Sequence, residues 1–137
     1  MSTHNKVKVK DVMLKLKSFP VVKENTIFKE ALEAMAPSDL GIACIVDESE
    51  NLLGIITDGD IRRKLLRVQK PFSAFFSDDA IAHSVRIPIT ISEGDLLKDA
   101  VQIMGEKKIW DLPVLDSNNR LVGLLHLHPA IEKLINA

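Results

Sequence analysis

The sequence predicts an α+β fold made of two β-α-β-β-α repeats packed as one pseudo-symmetric module. Three observations lead there. Shifting the chain by 69 positions lays residues 20–66 on residues 89–135 without a gap. In both copies helical apolar spacing alternates with short continuous apolar runs. The 137 residues are 46% apolar, enough for one compact domain or two small subdomains with a shared core.

Identities between the copies are scattered, but the physical pattern matches. Glu24 falls on Glu93, Lys29 on Lys98, Ala31 on Ala100, Met35 on Met104, Asp47 on Asp116, Leu52 on Leu121 and Gly54 on Gly123. Each copy opens with a short apolar segment, Pro20-Val21-Val22 or Ile89-Thr90-Ile91, which leads into a helix. Thr26 and Asp95 share the position before it, where either side chain can cap free amides. The stripe Ile27, Phe28, Ala31, Leu32 and Met35, matched by Leu96, Leu97, Ala100, Val101 and Met104, is a core face. Pro37 ends the first helix. Runs at 42–47 and 112–116 read as buried strands, and each is followed by a polar turn. Second strands at 52–57 and 121–126 pair back as hairpins, and short helices at about 61–66 and 129–135 close the copies. One unit cannot bury both faces of its sheet, so the copies are expected to pack together.

The repeats therefore occupy 19–66 and 88–137. Residues 1–18 form the N-terminal lead-in, of which Met1–Lys10 is expected to be loose and basic, with Val9, Val12 and Met13 forming one docked turn. Residues 67–87 connect the copies, and Phe72, Phe75 and Phe76 suggest that this connection packs on the body.

Composition excludes several classes. Eighteen basic and nineteen acidic side chains nearly cancel, which leaves no basic field for a nucleic acid. Cys44 is the only cysteine and lies in an apolar run, as a buried thiol in a reducing compartment would. No apolar stretch reaches membrane-spanning length, and the opening residues lack the hydrophobic segment of a signal peptide. A cytoplasmic location is expected. Paired catalytic carboxylates, a nucleophile with its base and a Gly-rich phosphate loop are all missing, so no catalytic residue is assigned.

The chemistry lies where the second strand of copy one meets its last helix, in Gly54-Ile55-Ile56-Thr57-Asp58-Gly59-Asp60-Ile61-Arg62-Arg63. Thr57 can present a hydroxyl to phosphate or ribose. Gly59 leaves backbone open at a helix start, which favours an anion. Asp60 is an acceptor-only carboxylate suited to vicinal hydroxyls, and Arg62 and Arg63 can reach phosphate. These are parts of a nucleotide site. Equally, Asp58 or Asp60 can simply cap the helix while the arginines form a solvated face. Pro20, Gly41, Ile42 and Asp58 join the candidate ligand-binding set.

GIITDGD resembles the CBS-repeat pattern of glycine, apolar, any residue, threonine or serine, two more, then aspartate. The resemblance implies that Thr57 and Asp60 contact ligand phosphate and ribose, and that CBS pairs assemble further into discs, here a homodimer. TDGDIRR with LVGLLHLHPAI is similar to the C-terminal regulatory module of KpsF/GutQ-type D-arabinose 5-phosphate isomerases, which make the precursor of Kdo, a bacterial surface-polysaccharide sugar. In that family a preceding sugar-isomerase (SIS) domain does the catalysis, so the resemblance implies a separated regulatory half or a stand-alone relative. Its implied ligand is AMP, ATP or the activated sugar CMP-Kdo, with no required cofactor. CBS pairs attached to sugar nucleotidyltransferases carry similar strings, and a purely structural dimerisation module is a further alternative.

Copy two departs from the pattern. Gly123 is kept, but His126 replaces the hydroxyl residue and Pro129 replaces the aspartate. One ligand site per chain is therefore expected. His126 and His128 have no clear third ligand, short of the complement for zinc, and read as a hydrogen-bonding pair at the ligand cleft or at a partner contact. Trp110 opens the second copy's buried strand, as an interface residue or, alternatively, as a platform on which a base stacks.

Overall fold

The structure is a computed structural model that describes residues 6–67 and 71–136. In chain order it has a 3-10 turn (Val9–Asp11), strands β1 (Leu14–Lys15) and β2 (Val21–Lys23), helix α1 (Phe28–Met35), β3 (Ile42–Val46), β4 (Leu52–Thr57), α2 (Asp58–Arg67) and α3 (Phe72–Phe76). A second 3-10 turn (Ala80–His83) precedes β5 (Ile91–Ser92), α4 (Leu97–Lys107), β6 (Asp111–Leu115), β7 (Leu121–His126) and α5 (Leu127–Asn136). The fold is mixed α+β, with the β-α-β-β-α order present twice.

The chain divides into two compact units, and their membership departs from the repeat boundaries read from sequence. Phe19–Pro88 forms one unit; the described residues up to Ser18 join those from Ile89 onward in the other. In the first, β2 runs parallel to β3 and β3 antiparallel to β4. Its core joins Phe28, Ala31 and Met35 of α1 to Ala43, Ile45 and Ile56 of the sheet, with Phe75 and Ala80 from the connection. In the second, the sheet order is β1-β7-β6-β5, with β5 and β6 parallel and the other pairs antiparallel. Leu97, Ala100 and Met104 of α4 pack there with Leu112, Val114 and Leu125, and Val9 is fully buried among them.

The residues ahead of the repeats are thus structural. Val9 and Lys10 donate backbone hydrogen bonds to Asp95 and Glu93, and Leu14 pairs with Leu124. The docked turn expected at Val9, Val12 and Met13 is present, all three packing in the second unit's core, while the looseness expected up to Lys10 is corrected at Val9 and Lys10, whose amides are held by these hydrogen bonds. The connection does the same in the first unit, where Val85 pairs with Ile55 and Ala80 N–H donates to the Thr26 carbonyl. Phe75 is buried and Phe76 exposed, while the side chain of Phe72 lies outside the described residues.

Two local expectations change. Thr26 and Asp95 do not cap their helices. The first amide of α1 donates to the Asp78 carbonyl, and that of α4 to the Val7 carbonyl, both at 2.8 Å. The orphan donors are met by backbone from the segments ahead of the repeats, while the Asp95 carboxylate accepts from Ser92 N–H. The closing helices also begin earlier than expected, directly after β4 and β7, because the strand ends themselves organise their first turns. The hairpin turns agree in detail. Asp47 accepts from the amides of Ser49 and Asn51, as Asp116 does from those of Asn118 and Arg120.

Candidate functional site

The sequence-selected residues of copy one converge at one end of its sheet. Ile42 and Thr57 are register partners where β3 begins and β4 ends. Pro20 lies at the same end, its carbonyl accepting from Cys44 N–H at 3.0 Å. Gly41 precedes β3 with a φ of 59°, a left-handed conformation that glycine adopts without strain. Its carbonyl accepts the first amide of α2, Asp58 N–H, at 3.0 Å. A Cβ on Gly41 would lie 2.6 Å from Asp58 Oδ2, so a side chain at residue 41 would have to displace the exposed Asp58 carboxylate. Pro20 and Ile42 are buried, Gly41, Thr57, Gly59 and Asp60 half-buried, and Asp58, Arg62 and Arg63 exposed.

Thr57 caps α2, which corrects the reading of Asp58 or Asp60 as the cap. Its Oγ1 accepts from Asp60 N–H at 3.2 Å and donates to Asp60 Oδ2 at 2.7 Å. Arg63 donates to Asp60 Oδ1 at 2.7 Å, with its own side chain 55% exposed and that of Asp60 29% exposed. Partial burial alone would raise the Asp60 carboxyl. The hydrogen bonds from Arg63 and Thr57 and the Arg63 charge outweigh it and hold the group below its ordinary value. The turn therefore presents an ionised carboxylate, with a hydroxyl on one side and a guanidinium on the other, over a helix start.

Copy two has the same backbone and different chemistry. Leu127 N–H donates to the Trp110 carbonyl at 2.9 Å, the counterpart of the Asp58–Gly41 bond. Trp110 occupies the Gly41 position with its side chain 69% exposed, ahead of β6 and not within it. Asp111 and His126 are register partners in the places of Ile42 and Thr57, and His126 Nδ1 lies 2.8 Å from Asp111 Oδ1. Burial pushes the Asp111 carboxyl up despite the hydrogen bond and charge of His126.

His126 and His128 do not form the pair suggested by their spacing. His126 engages Asp111, whereas His128 is exposed and lies 3.7 Å from Glu132. Asp111 was not singled out with them. The signal that could have found it is its register opposite His126. Among the described residues, no group of three or more His, Cys, Asp or Glu is placed to hold a metal ion, and no helix is long and apolar enough to cross a membrane.

Comparison with known proteins agrees with this architecture. Residues 9–67 and 82–128 match the CBS domain family. An uncharacterized protein of Helicobacter pylori is 34% identical over 127 residues, 92% of this chain and 37% of that protein. The arabinose 5-phosphate isomerase KdsD of Pseudomonas aeruginosa is 34% identical over 126 residues, again 92% of this chain and 37% of the isomerase. The chain thus spans little more than a third of these relatives' length. The crystal structure of CBSX2 in complex with AMP superposes with a TM-score of 0.80 at 24% identity, covering 95% of this chain and 97% of that one. The CBS domain pair of protein MJ0100 in complex with 5′-methylthioadenosine and S-adenosyl-L-methionine gives 0.73 at 26% identity, covering 95% and 96%. This chain belongs to the CBS domain family, of which it carries a tandem pair.

Proposed function

We propose that the chain is a regulatory nucleotide sensor with a single ligand site, at the Thr57–Asp60 turn of copy one, that tunes an isomerase of the arabinose 5-phosphate class in Kdo and surface-polysaccharide synthesis. The observation that carries this reading is the Thr57–Asp60–Arg63 constellation over a helix start, for which copy two has His126, Pro129 and Glu132. In this reading Asp60 accepts ribose hydroxyls. Thr57, the Gly59 amide next to Asp58, and Arg62 and Arg63 meet phosphate, while Pro20, Gly41 and Ile42 border the base. His126 and His128 serve the second copy's side of ligand or partner contact. The ligand is AMP or ATP, as the AMP complex of CBSX2 suggests, or CMP-Kdo as a feedback signal of the pathway. The KdsD relatives support an SIS isomerase domain as the partner.

The chain itself performs no catalysis, acts in the cytoplasm and assembles as a homodimer through CBS–CBS packing. A ligand regulates only by binding one arrangement of the assembly better than another. The loss of Thr and Asp from copy two favours a second reading, a ligand-free dimerisation module. Thermal unfolding with increasing nucleotide separates the two. The sensor's melting temperature rises with ligand as mass action requires, and Asp60→Asn blunts the rise. Dimerisation with no shift from AMP, ATP or CMP-Kdo supports the structural module, and isomerase turnover by this chain alone contradicts both.

A further inference from the structure

We infer that Arg63 is a latch on the Thr57–Asp60 turn, displaced by the ligand, so that the site selects molecules carrying an anionic group together with a vicinal diol. This rests on the nucleotide-sensing reading and concerns how the same site is controlled. Asp60 is engaged on both oxygens, by the Thr57 hydroxyl at Oδ2 and by the Arg63 guanidinium at Oδ1, each at 2.7 Å. The guanidinium occupies the acceptor that a ribose diol needs.

A nucleoside that displaces Arg63 gives the freed cation nothing in return. A nucleotide supplies a phosphate, an acceptor-only anion that the planar guanidinium engages with two parallel donors. The exchange moves Arg63 from one anion to another and Asp60 from a cation to hydroxyls. Three features make the latch movable. Arg63 stands one helical turn from Asp60, at i+3. Its side chain is 55% exposed. It also folds back over Gly59, where a Cβ would meet the two terminal nitrogens at 3.2 and 3.3 Å. An ion pair this exposed changes an equilibrium by at most about fivefold, so an ordinary ligand can open it.

The test is calorimetric titration of AMP and adenosine into the wild-type chain and into R63A, an exposed helical substitution with little effect on folding. Wild type is expected to prefer AMP. In R63A adenosine binding should tighten about two- to fivefold while AMP binding gains nothing, because the loss of its phosphate contact offsets the opened latch, so that the preference falls by about two- to fivefold. An unchanged preference in R63A overturns the latch and leaves the nucleotide site standing. If neither ligand binds wild type, the site reading falls and the latch with it. Carboxyl carbon NMR adds a ligand-free readout: loss of Arg63 should move the Asp60 titration upward, and an unmoved titration also overturns the latch.

Discussion

Gly54→Ala tests whether the connection is a structural part of the first unit. A Cβ on Gly54 would lie 2.6 Å from Ser84 Oγ and 2.9 Å from the Val85 carbonyl oxygen. The serine hydroxyl can rotate away, but the carbonyl is backbone. Restoring ordinary contact moves that oxygen by about 0.5 Å. The same oxygen accepts Ile55 N–H at 3.0 Å, so the displacement stretches that bond to the limit of hydrogen bonding and strains its 2.8 Å partner, Val85 N–H to the Ile55 carbonyl. One or two backbone hydrogen bonds, at about 0.5–1.5 kcal/mol each, add to an overpacking cost of about 1–3 kcal/mol. We expect a loss of about 2–4 kcal/mol, read as the urea midpoint or as a melting temperature lowered by about 8–16 °C. G54A/S84A should recover only part of it, because Val85 still blocks the methyl group. Gly123→Ala should behave alike, since its Cβ would meet Met13 Sδ and lie 2.8 Å from the Leu14 carbonyl oxygen. Stability within about 0.5 kcal/mol of wild type for G54A would refute the reasoning, because such a result means the segment at Val85 yields freely.

Four further outcomes follow from the structure. Asp60→Asn should weaken nucleotide binding by about one to two decades, the worth of charged hydrogen bonds at about 1.5–3 kcal/mol, and titration calorimetry with AMP checks it. Burial raises the Asp111 carboxyl, so between the ordinary value of 3.8 and the raised one the folded chain holds a proton that the unfolded chain has released. That contribution to stability is lost as pH rises through this window, and Asp111→Asn should remove it from the pH dependence of urea unfolding. Asp60 has the opposite sign: its depressed carboxyl contributes stability that disappears as pH falls through the folded value, below 3.8. Cys44 is fully buried on β3, so a thiol reagent should label it only as fast as the chain opens; immediate labelling of native protein would contradict its placement.

Much of the fold was legible because it is local and repeated. The helical stripe from Phe28 to Met35 read correctly by its period, and the apolar run ahead of Asp47 and the Gly54 and Gly123 strands by their continuous apolar character and the polar turns between them. In the segments ahead of the repeats the apolar anchors, Val9 with Val12 and Met13 and then Phe75, were legible, but their backbone partners were not, because those are remote. Val7 meets the start of α4 and Asp78 the start of α1 through backbone carbonyls, which leave no side-chain signature. The correspondence emerges only in the structure: Leu14 pairs with Leu124 as Val85 pairs with Ile55, and these segments are offset by 71 residues where the repeats are offset by 69. At the site, Thr57, Asp60 and Arg63 were nameable from the motif, but the closed hydrogen-bond circuit among them was not. Side-chain types state what a residue can bind, and only packing states what it already binds. The Asp111–His126 contact was missed for a related reason, since it joins two strands across the sheet.

The central claim is one nucleotide site per chain, in copy one. Calorimetric titration with AMP, ATP and CMP-Kdo, read for stoichiometry as well as affinity, tests it most directly. Saturable binding near one ligand per chain, abolished or strongly weakened by Asp60→Asn, is the expected result. No heat from any of the three, or two equivalent sites per chain, would contradict it.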